Sequence, residues 1–228
     1  IKAGELGLPT PGMECKLVPI DGKTELRYRG PNITPGYWRA PEATAEAFDE
    51  EGFFCTGDAV LWVDVADKHK GLRFDGRIAE DFKLATGTFV SVGPLRGRVI
   101  AGGAPYIQDV VVTGLNRHEV GALVFPTQAV RSLVDLPPDA PFETVLKQHA
   151  VLQKFQSLVT DLSLTATGSA NRVTRLMLMA EPPSIDLGEV TDKGSINQRA
   201  VLKHRDDLVQ ALYDEPPGHI VIKPGVNL

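Results

Sequence analysis

Three residues in this chain have types and surroundings suited to chemistry. Lys193 lies in "EVTDKGSINQR" (189–199), between an aspartate and a glycine. An ammonium on a flexible four-carbon stem is a mobile point charge. On a glycine-containing loop it can extend to a phosphate or carboxylate and stabilise charge developing on an oxygen. The plainer role for any lysine is a solvated surface charge. Asp58 closes "FFCTGD" and Arg77 closes "FDGR". A carboxylate at the mouth of a hairpin can accept two hydrogen bonds from a vicinal diol such as the ribose hydroxyls, and a guanidinium beside it could bond the same diol. The plainer readings are a turn aspartate and a structural ion pair.

Other chemistries lack their residues. The sequence has no Walker lysine pattern and no GxGxxG. His69, His118, His149, His204 and His219 are scattered, with no serine or cysteine motif beside them to suggest a triad and no metal-ligand spacing. No metal site is therefore assigned to any residue of this chain. His149 is placed on a helix flank. Cys15 and Cys55 are the only cysteines, without CxxC spacing, which argues against a disulfide scaffold or a zinc site and fits a reducing cytoplasm.

The elements that must position these groups follow from pattern. "MECKLVPI" and "TELRYRG" alternate and are joined by "DGK", predicting a hairpin. "PEATAEAF" predicts a short helix opened by Pro41. "GYW" (36–38) is read as local packing. "AVLWVDV" and "GLRFDGR" predict two strands around the polar turn "ADKHK". Pairing Val65 with Leu72 across that turn brings Asp58 and Arg77 to the same open end of the ladder. Residues 77–94 fit neither a clean helix nor a clean strand, interrupted by Gly87 and Gly93, and "VSVGPLRGRVIAGG" reads as a loop entering a helix.

Residues 106–114 and 119–126 read as strands, and "DLPPDAP" as a loop. Apolar residues at 3–4 spacing predict one helix from Phe142 to about Ala166. "VTRLMLMAEPP" predicts a buried strand. A capping-box signature, Ser195 with Gln198, predicts a last amphipathic helix over 195–213 and places Lys193 just ahead of its N-terminus, where free N–H groups and the macrodipole favour anions. The tail after Pro216 reads as loosely ordered.

The expected fold class is α+β: a β-rich subdomain over 1–76, a hinge at 77–81, and a small α+β domain over 82–228 with two helices and about three strands. Two such domains with a short joint often close on a ligand.

Composition sets bounds. With 43% hydrophobic and 23% charged residues among 228, a real core can be buried. No apolar run approaches the ~20 residues of a membrane helix, so no membrane partner is expected. No basic stretch followed by an apolar segment opens the sequence, so no signal peptide is expected and a cytoplasmic protein is. A net charge of −5 gives no electrostatic reason to expect nucleic-acid binding. The sequence starts Ile1-Lys2-Ala3-Gly4, without methionine, which fits the interior of a longer polypeptide or a short chain whose start was removed.

In combination and order, "NITPGYWRAPEATAEAFDEEGFFCTGD", "LRFDGRIAEDFKLATGTFVSVGPLR" and a lysine–glycine loop more than a hundred residues later resemble the C-terminal portion of the adenylate-forming acyl-CoA synthetases. The resemblance covers essentially the whole chain and leans to the feruloyl-CoA synthetase-like branch, which carries a similar "EDFKLATGTFVSVG" run. It departs at the family's proline-containing lysine motif, here "VTDKGSINQ".

The resemblance implies a reaction in which a carboxylate attacks the α-phosphate of ATP with Mg²⁺, giving an acyl-adenylate and pyrophosphate. The small domain then turns and the CoA thiol attacks the acyl-AMP. It implies that Asp58 and Arg77 hold the AMP ribose, with Arg77 also on the phosphate side. Lys193 would bridge carboxylate and α-phosphate in the first half-reaction only. The pivot falls at Ala79, where many relatives carry aspartate or lysine, or at Glu80. Lys83 matches a second lysine used in the other domain orientation, and Gly87, Thr88 and Phe89 match the loop beside the CoA pantetheine.

The phosphate loop, the Mg²⁺-binding motif and the acyl pocket of that family are not in these residues. The expected partner is therefore an upstream large adenylation domain of the same chain, and residues 1–228 alone are expected to form no acyl-AMP. The alternative is a free-standing nucleotide-binding or inactive module derived from the family. An upstream reading frame of about 300 residues, in line with domain sizes, separates the two. The acid and the oligomeric state are not legible here.

Overall fold

The alternating runs around Gly22 fold as the sequence predicts. Strand β2 (Glu14–Ile20) and strand β3 (Lys23–Arg29) form an antiparallel hairpin with Ile20 opposite Lys23. The computed structural model describes residues 5–20, 22–215 and 217–225; Asp21 of the predicted "DGK" turn lies outside the described residues. The chain divides into two compact units, 1–81 and 82–228.

In the first unit, β1 (Glu5–Gly7), β4 (Phe54–Trp62) and β5 (Leu72–Arg77) join the hairpin in one sheet of order β1-β5-β4-β3-β2, antiparallel at each pairing. Leu26, Val60 and Leu72 are buried on one face, with Cys15, Leu17, Tyr28 and Trp62 packed around them. Helix α1 (Pro41–Ala47) starts on Pro41, whose missing N–H costs nothing in a first turn.

Leu72 faces Trp62, not Val65, because a 3-10 turn at Lys68–Lys70 takes up part of the connection. The contacts of Tyr37 and Trp38 are local: the Tyr37 N–H donates to the Thr44 hydroxyl at 2.9 Å and the Arg39 guanidinium lies over the Trp38 ring, while both side chains stay exposed, at 50% and 87%.

The second unit opens with a small hairpin of β6 (Phe82–Lys83) and β7 (Phe89–Val90), followed by helix α2 (Val92–Gly103). Gly93 lies inside this helix and does not interrupt the chain. Pro94 is tolerated because a first turn leaves its N–H positions unpaired. Strands β8 (Ile107–Thr113), β9 (Val120–Pro126) and β10 (Val173–Leu178) form a sheet of order β10-β9-β8, with β10 parallel and β8 antiparallel to β9.

Every residue of β9 is buried, as a central strand covered on both faces requires. On one face Val110, Val112, Ala122, Val124 and Leu176 pack with Val99 of α2 and with Phe155 and Val159 of helix α4 (His149–Leu164). On the other, Val111, Leu123, Phe125 and Met177 pack with Val201, Ala211 and Leu212. Each buried Val, Leu, Phe or Met side chain among these contributes about 1.5–3 kcal/mol.

The helices are more numerous than predicted. The span 142–166 holds a short α3 (Phe142–Leu146) and then α4. The chain leaves helical geometry at Gln148, whose side-chain Nε2 donates back to the Thr144 carbonyl opened by the break. His149 begins α4 and is exposed, the flank position expected.

The predicted last helix is likewise two, α5 (Gln198–His204) and α6 (Asp206–Tyr213), separated at Arg205. Its cap is Asn197, whose side chain accepts the Ala200 N–H, and not Ser195. Gln198 makes no capping box, because its Oε1 is buried and accepts the Val112 N–H. The tail is also better placed than predicted. Ile222 is buried and exchanges both backbone hydrogen bonds with Leu176, and the Gly225 N–H donates to Thr160. The α+β class stands: one antiparallel β unit and one unit of helices on both faces of a mixed sheet.

Candidate functional site

Asp58 and Arg77 are brought together by strand pairing. They are cross-strand partners on β4 and β5, at a point where the register shifts between Asp58 and Val60. Arg77 Nε lies 2.9 Å from Asp58 Oδ1, and both side chains remain partly open to solvent. A shift of this kind adds a residue to one strand and re-aims its side chain. The carboxylate and the guanidinium thus stand side by side at the end of a ladder, with acceptor and donor atoms next to each other.

The backbone under Asp58 is fixed by groups that the sequence did not single out. Gly57 sits at φ +68°, a left-handed geometry that glycine adopts without penalty. Its N–H donates to Glu25 Oε1 at 2.8 Å. The Thr56 hydroxyl donates to the Leu26 carbonyl at 2.5 Å and accepts the Asp58 N–H at 3.0 Å.

Glu25 is 3% exposed, and its second oxygen accepts Arg27 Nε at 2.7 Å. Arg27 in turn donates to Asp49 at 3.0 Å. The Phe53 N–H, then Arg27 and Lys16, hold the Asp49 carboxyl far below the usual carboxylate range. A buried carboxylate is tolerable only with partners of this kind.

Ala79 and Glu80 lie in a single 3-10 turn, Ile78–Glu80, closed by the Asp81 N–H on the Ile78 carbonyl. Buried Lys23 secures the far end of that turn. Its Nζ is 2.7 Å from Asp81 Oδ2 and 3.3 Å from Asp75 Oδ2, and it donates to the Asp75 carbonyl at 2.5 Å. Alternation along β3 gave no sign that Lys23 or Glu25 would be buried.

In the second unit, Lys83, Gly87, Thr88 and Phe89 share one hairpin. Lys83 pairs with Phe89, and the turn closes through Gly87 N–H to Leu84 O and Leu84 N–H to Thr88 O. Gly87 takes φ +80°, and Thr86 and Thr88 hydroxyls meet at 3.0 Å. The Lys83 carbonyl accepts the Asn116 N–H, and Ala85 donates to the Arg117 carbonyl, so the hairpin is tied to the β8–β9 turn. The Lys83 side chain is exposed.

Lys193 is exposed at the tip of a separate turn. Val190 and Ile196 form an antiparallel bridge beneath it. The Thr191 N–H donates to Ser195 O, the Gly194 N–H to Thr191 O, and the Thr191 and Ser195 hydroxyls meet at 2.8 Å. Gly194 supplies the left-handed residue at φ +78°. The lysine therefore rides a tight hairpin four positions ahead of the Asn197 cap, not a helix N-terminus. Among the described residues no group of three or more His, Cys, Asp or Glu side chains could hold a metal ion, and no helix is long and apolar enough to cross a membrane.

Residues 81–216 match the family model described as the AMP-binding enzyme C-terminal domain. The chain belongs to this family. It is 28% identical over 227 residues to a chloroplastic long-chain-fatty-acid acyl-carrier-protein ligase of Arabidopsis thaliana, covering 93% of this chain and 28% of that protein. It is 45% identical over 130 residues to a probable CoA ligase of Humulus lupulus, covering 54% of this chain and 20% of the relative. Among solved structures it is similar to the adenylation domain of carboxylic acid reductase from Segniliparus rugosus in complex with AMP and a co-purified carboxylic acid. That match has a TM-score of 0.69 at 25% identity and covers 93% of this chain and 33% of that one. The chain thus spans between a fifth and a third of these three relatives.

Proposed function

We propose that this chain is the C-terminal portion of an ATP-dependent acid–thiol ligase that works through an acyl-adenylate. The observation that carries the reading is the cross-strand pairing of Asp58 and Arg77 at a register shift in a chain of the AMP-binding family. In the first half-reaction a carboxylate oxygen of the acid attacks the α-phosphorus of ATP, and the bond to the bridging oxygen breaks, releasing pyrophosphate. In the second, a thiol attacks the acyl carbonyl, AMP leaves, and the thiol proton is released.

The Asp58 carboxylate accepts hydrogen bonds from the ribose diol, and Arg77 donates on the ribose and phosphate side. Lys193 places its ammonium between the attacking carboxylate and the α-phosphate, where negative charge spreads as the reaction proceeds. That role belongs to the first half-reaction alone. The pivot lies at Ala79 or Glu80. Lys83 serves the second orientation, and Gly87, Thr88 and Phe89 flank the pantetheine arm of the thiol.

The thiol is proposed to be CoA. Relatives include an acyl-carrier-protein ligase and CoA ligases, and both carriers present the same phosphopantetheine thiol. Mg²⁺ is usually held by one or two carboxylates with the substrate phosphates, and its protein ligands are proposed to lie mostly outside these residues. For the acid, we propose a hydroxycinnamate-like aromatic carboxylate, on the overall resemblance of the chain to the feruloyl-CoA synthetase-like branch and not on any residue of an acyl pocket. The relatives' range, which includes long-chain fatty acids, supports testing aliphatic acids beside it.

The test is ATP–pyrophosphate exchange by the full-length polypeptide against aromatic and aliphatic acids, followed by thioester formation with CoA and with a holo acyl carrier protein. Acid-dependent exchange is expected. Its absence with every acid, together with tight AMP binding, would favour a nucleotide-binding module. Residues 1–228 alone are expected to give no exchange.

A further inference from the structure

The Lys193 turn stands on a buried ion pair. Glu189, 1% exposed, precedes the bridge residue Val190, and its carbonyl accepts the Asn197 N–H at 2.8 Å, closing the hairpin at its root. Its carboxylate faces the other way, into the unit. Oε1 accepts Arg205 Nε at 3.0 Å, and Oε2 accepts the same guanidinium at 2.7 Å and the Ser184 N–H at 2.8 Å.

Arg205 donates further to the Glu181 and Pro182 carbonyls at 3.1 and 2.8 Å, and its guanidinium lies over the Phe125 ring of β9. One guanidinium thereby joins the approach to the loop, its root, the break between α5 and α6, and the central strand. A two-pronged arginine–carboxylate pair fixes orientation as well as distance. Three further contacts leave it little freedom.

We propose that Glu189 and Arg205 are positioning residues for Lys193, holding the hairpin so that its ammonium reaches the reacting phosphate. The inference rests on the adenylation role given to Lys193. A merely structural pair would lower both half-reactions together, by lowering the amount of folded enzyme. A positioning pair acts where Lys193 acts, and a displacement of about 1 Å at the reacting groups can cost on the order of a hundredfold.

The experiment uses the full-length enzyme with Glu189→Gln, Arg205→Lys and Lys193→Ala, each assayed for acyl-AMP formation and for thioester formation from supplied acyl-AMP. Glu189→Gln retains the size of the side chain and an oxygen for Ser184. Arg205→Lys retains the charge and loses the fork. The expected result is a tenfold to hundredfold fall in acyl-AMP formation, about the scale of such misplacement, with less than about twofold change in thioester formation.

Equal loss in both steps by Glu189→Gln and Arg205→Lys, with Lys193→Ala still selective, would overturn the positioning role and leave the lysine's role intact. The same holds if both variants match the unmodified enzyme in both steps. Loss of selectivity by Lys193→Ala itself would reject the underlying reading, and this inference with it.

Discussion

Asp58 and Arg77 face each other across β4 and β5, and their side chains meet at 2.9 Å where the register slips by a residue. Nineteen positions separate them in the sequence, yet the ladder makes them neighbours. The pair is open enough that its own worth to stability is about 0–1 kcal/mol. Asp58→Ala is therefore expected to leave the thermal midpoint nearly unchanged. It is expected to weaken AMP binding by about tenfold or more, the effect of losing hydrogen bonds to a charged acceptor of roughly 1.5–3 kcal/mol. Titration calorimetry of AMP on the full-length enzyme and a melting curve check both. Unchanged affinity would reduce Asp58 to a structural partner of Arg77.

Glu25 gives the opposite profile. It is buried, carries the Gly57 N–H, and is paired with Arg27. Removing one member of a buried pair costs about 3–5 kcal/mol, because the other charge is left behind. Glu25→Ala is expected to destabilise by about that amount in urea denaturation and to weaken AMP binding through the displaced Gly57–Asp58 backbone. A variant that melts normally and binds AMP normally would show that Glu25 does not support the site.

The buried pair beneath Lys193 sets a pH dependence. Hydrogen bonding from Arg205 holds the Glu189 carboxyl below its ordinary value, opposed by burial and aided by the Ser184 N–H. A folded-state value below the unfolded one means that the unfolded chain binds the proton more readily. The pair's contribution to stability is then complete at neutral pH. It begins to fall as the pH drops into the ordinary glutamate range near ~4.3, and is lost once the pH passes below the folded value. Between pH 7 and about pH 3, Glu189→Gln should lose stability less steeply than the unmodified chain. Parallel stability–pH curves for the two would show that Glu189 does not titrate in this way.

Local pattern revealed the elements and contact hid the details. The β2–β3 hairpin and the Pro41 helix start could be read because alternation and proline geometry are local. Residues 119–126 were readable as a strand, and only the sheet order shows that β9 is the central one. The Asp58–Arg77 proximity also followed from strand reasoning, although the register expected through Val65 was wrong.

The Asn197 cap could not be read, because the capping-box pattern at Ser195 and Gln198 is satisfied elsewhere: Gln198 is spent on the Val112 N–H and Ser195 on Thr191. Nor could the burial of Lys23, Glu25 and Glu189, whose partners lie up to 58 residues away, at Asp81 in the case of Lys23. Charged residues in a strand read as solvent-facing until the partner is in place. The docking of Ile222 against Leu176 is of the same kind, a pairing over 46 positions that no local signal announces.

The central claim is that Lys193, at the tip of its hairpin, acts on the adenylation step alone. The most direct measurement is single-turnover kinetics of the full-length enzyme and its Lys193→Ala variant, run separately for acyl-AMP formation from acid and ATP and for thioester formation from supplied acyl-AMP and thiol. The account predicts a fall of about a hundredfold or more in the first step, the scale of losing a placed charge at a developing oxyanion, with the second step within about twofold. Equal losses in both steps, or none in the first, would contradict it.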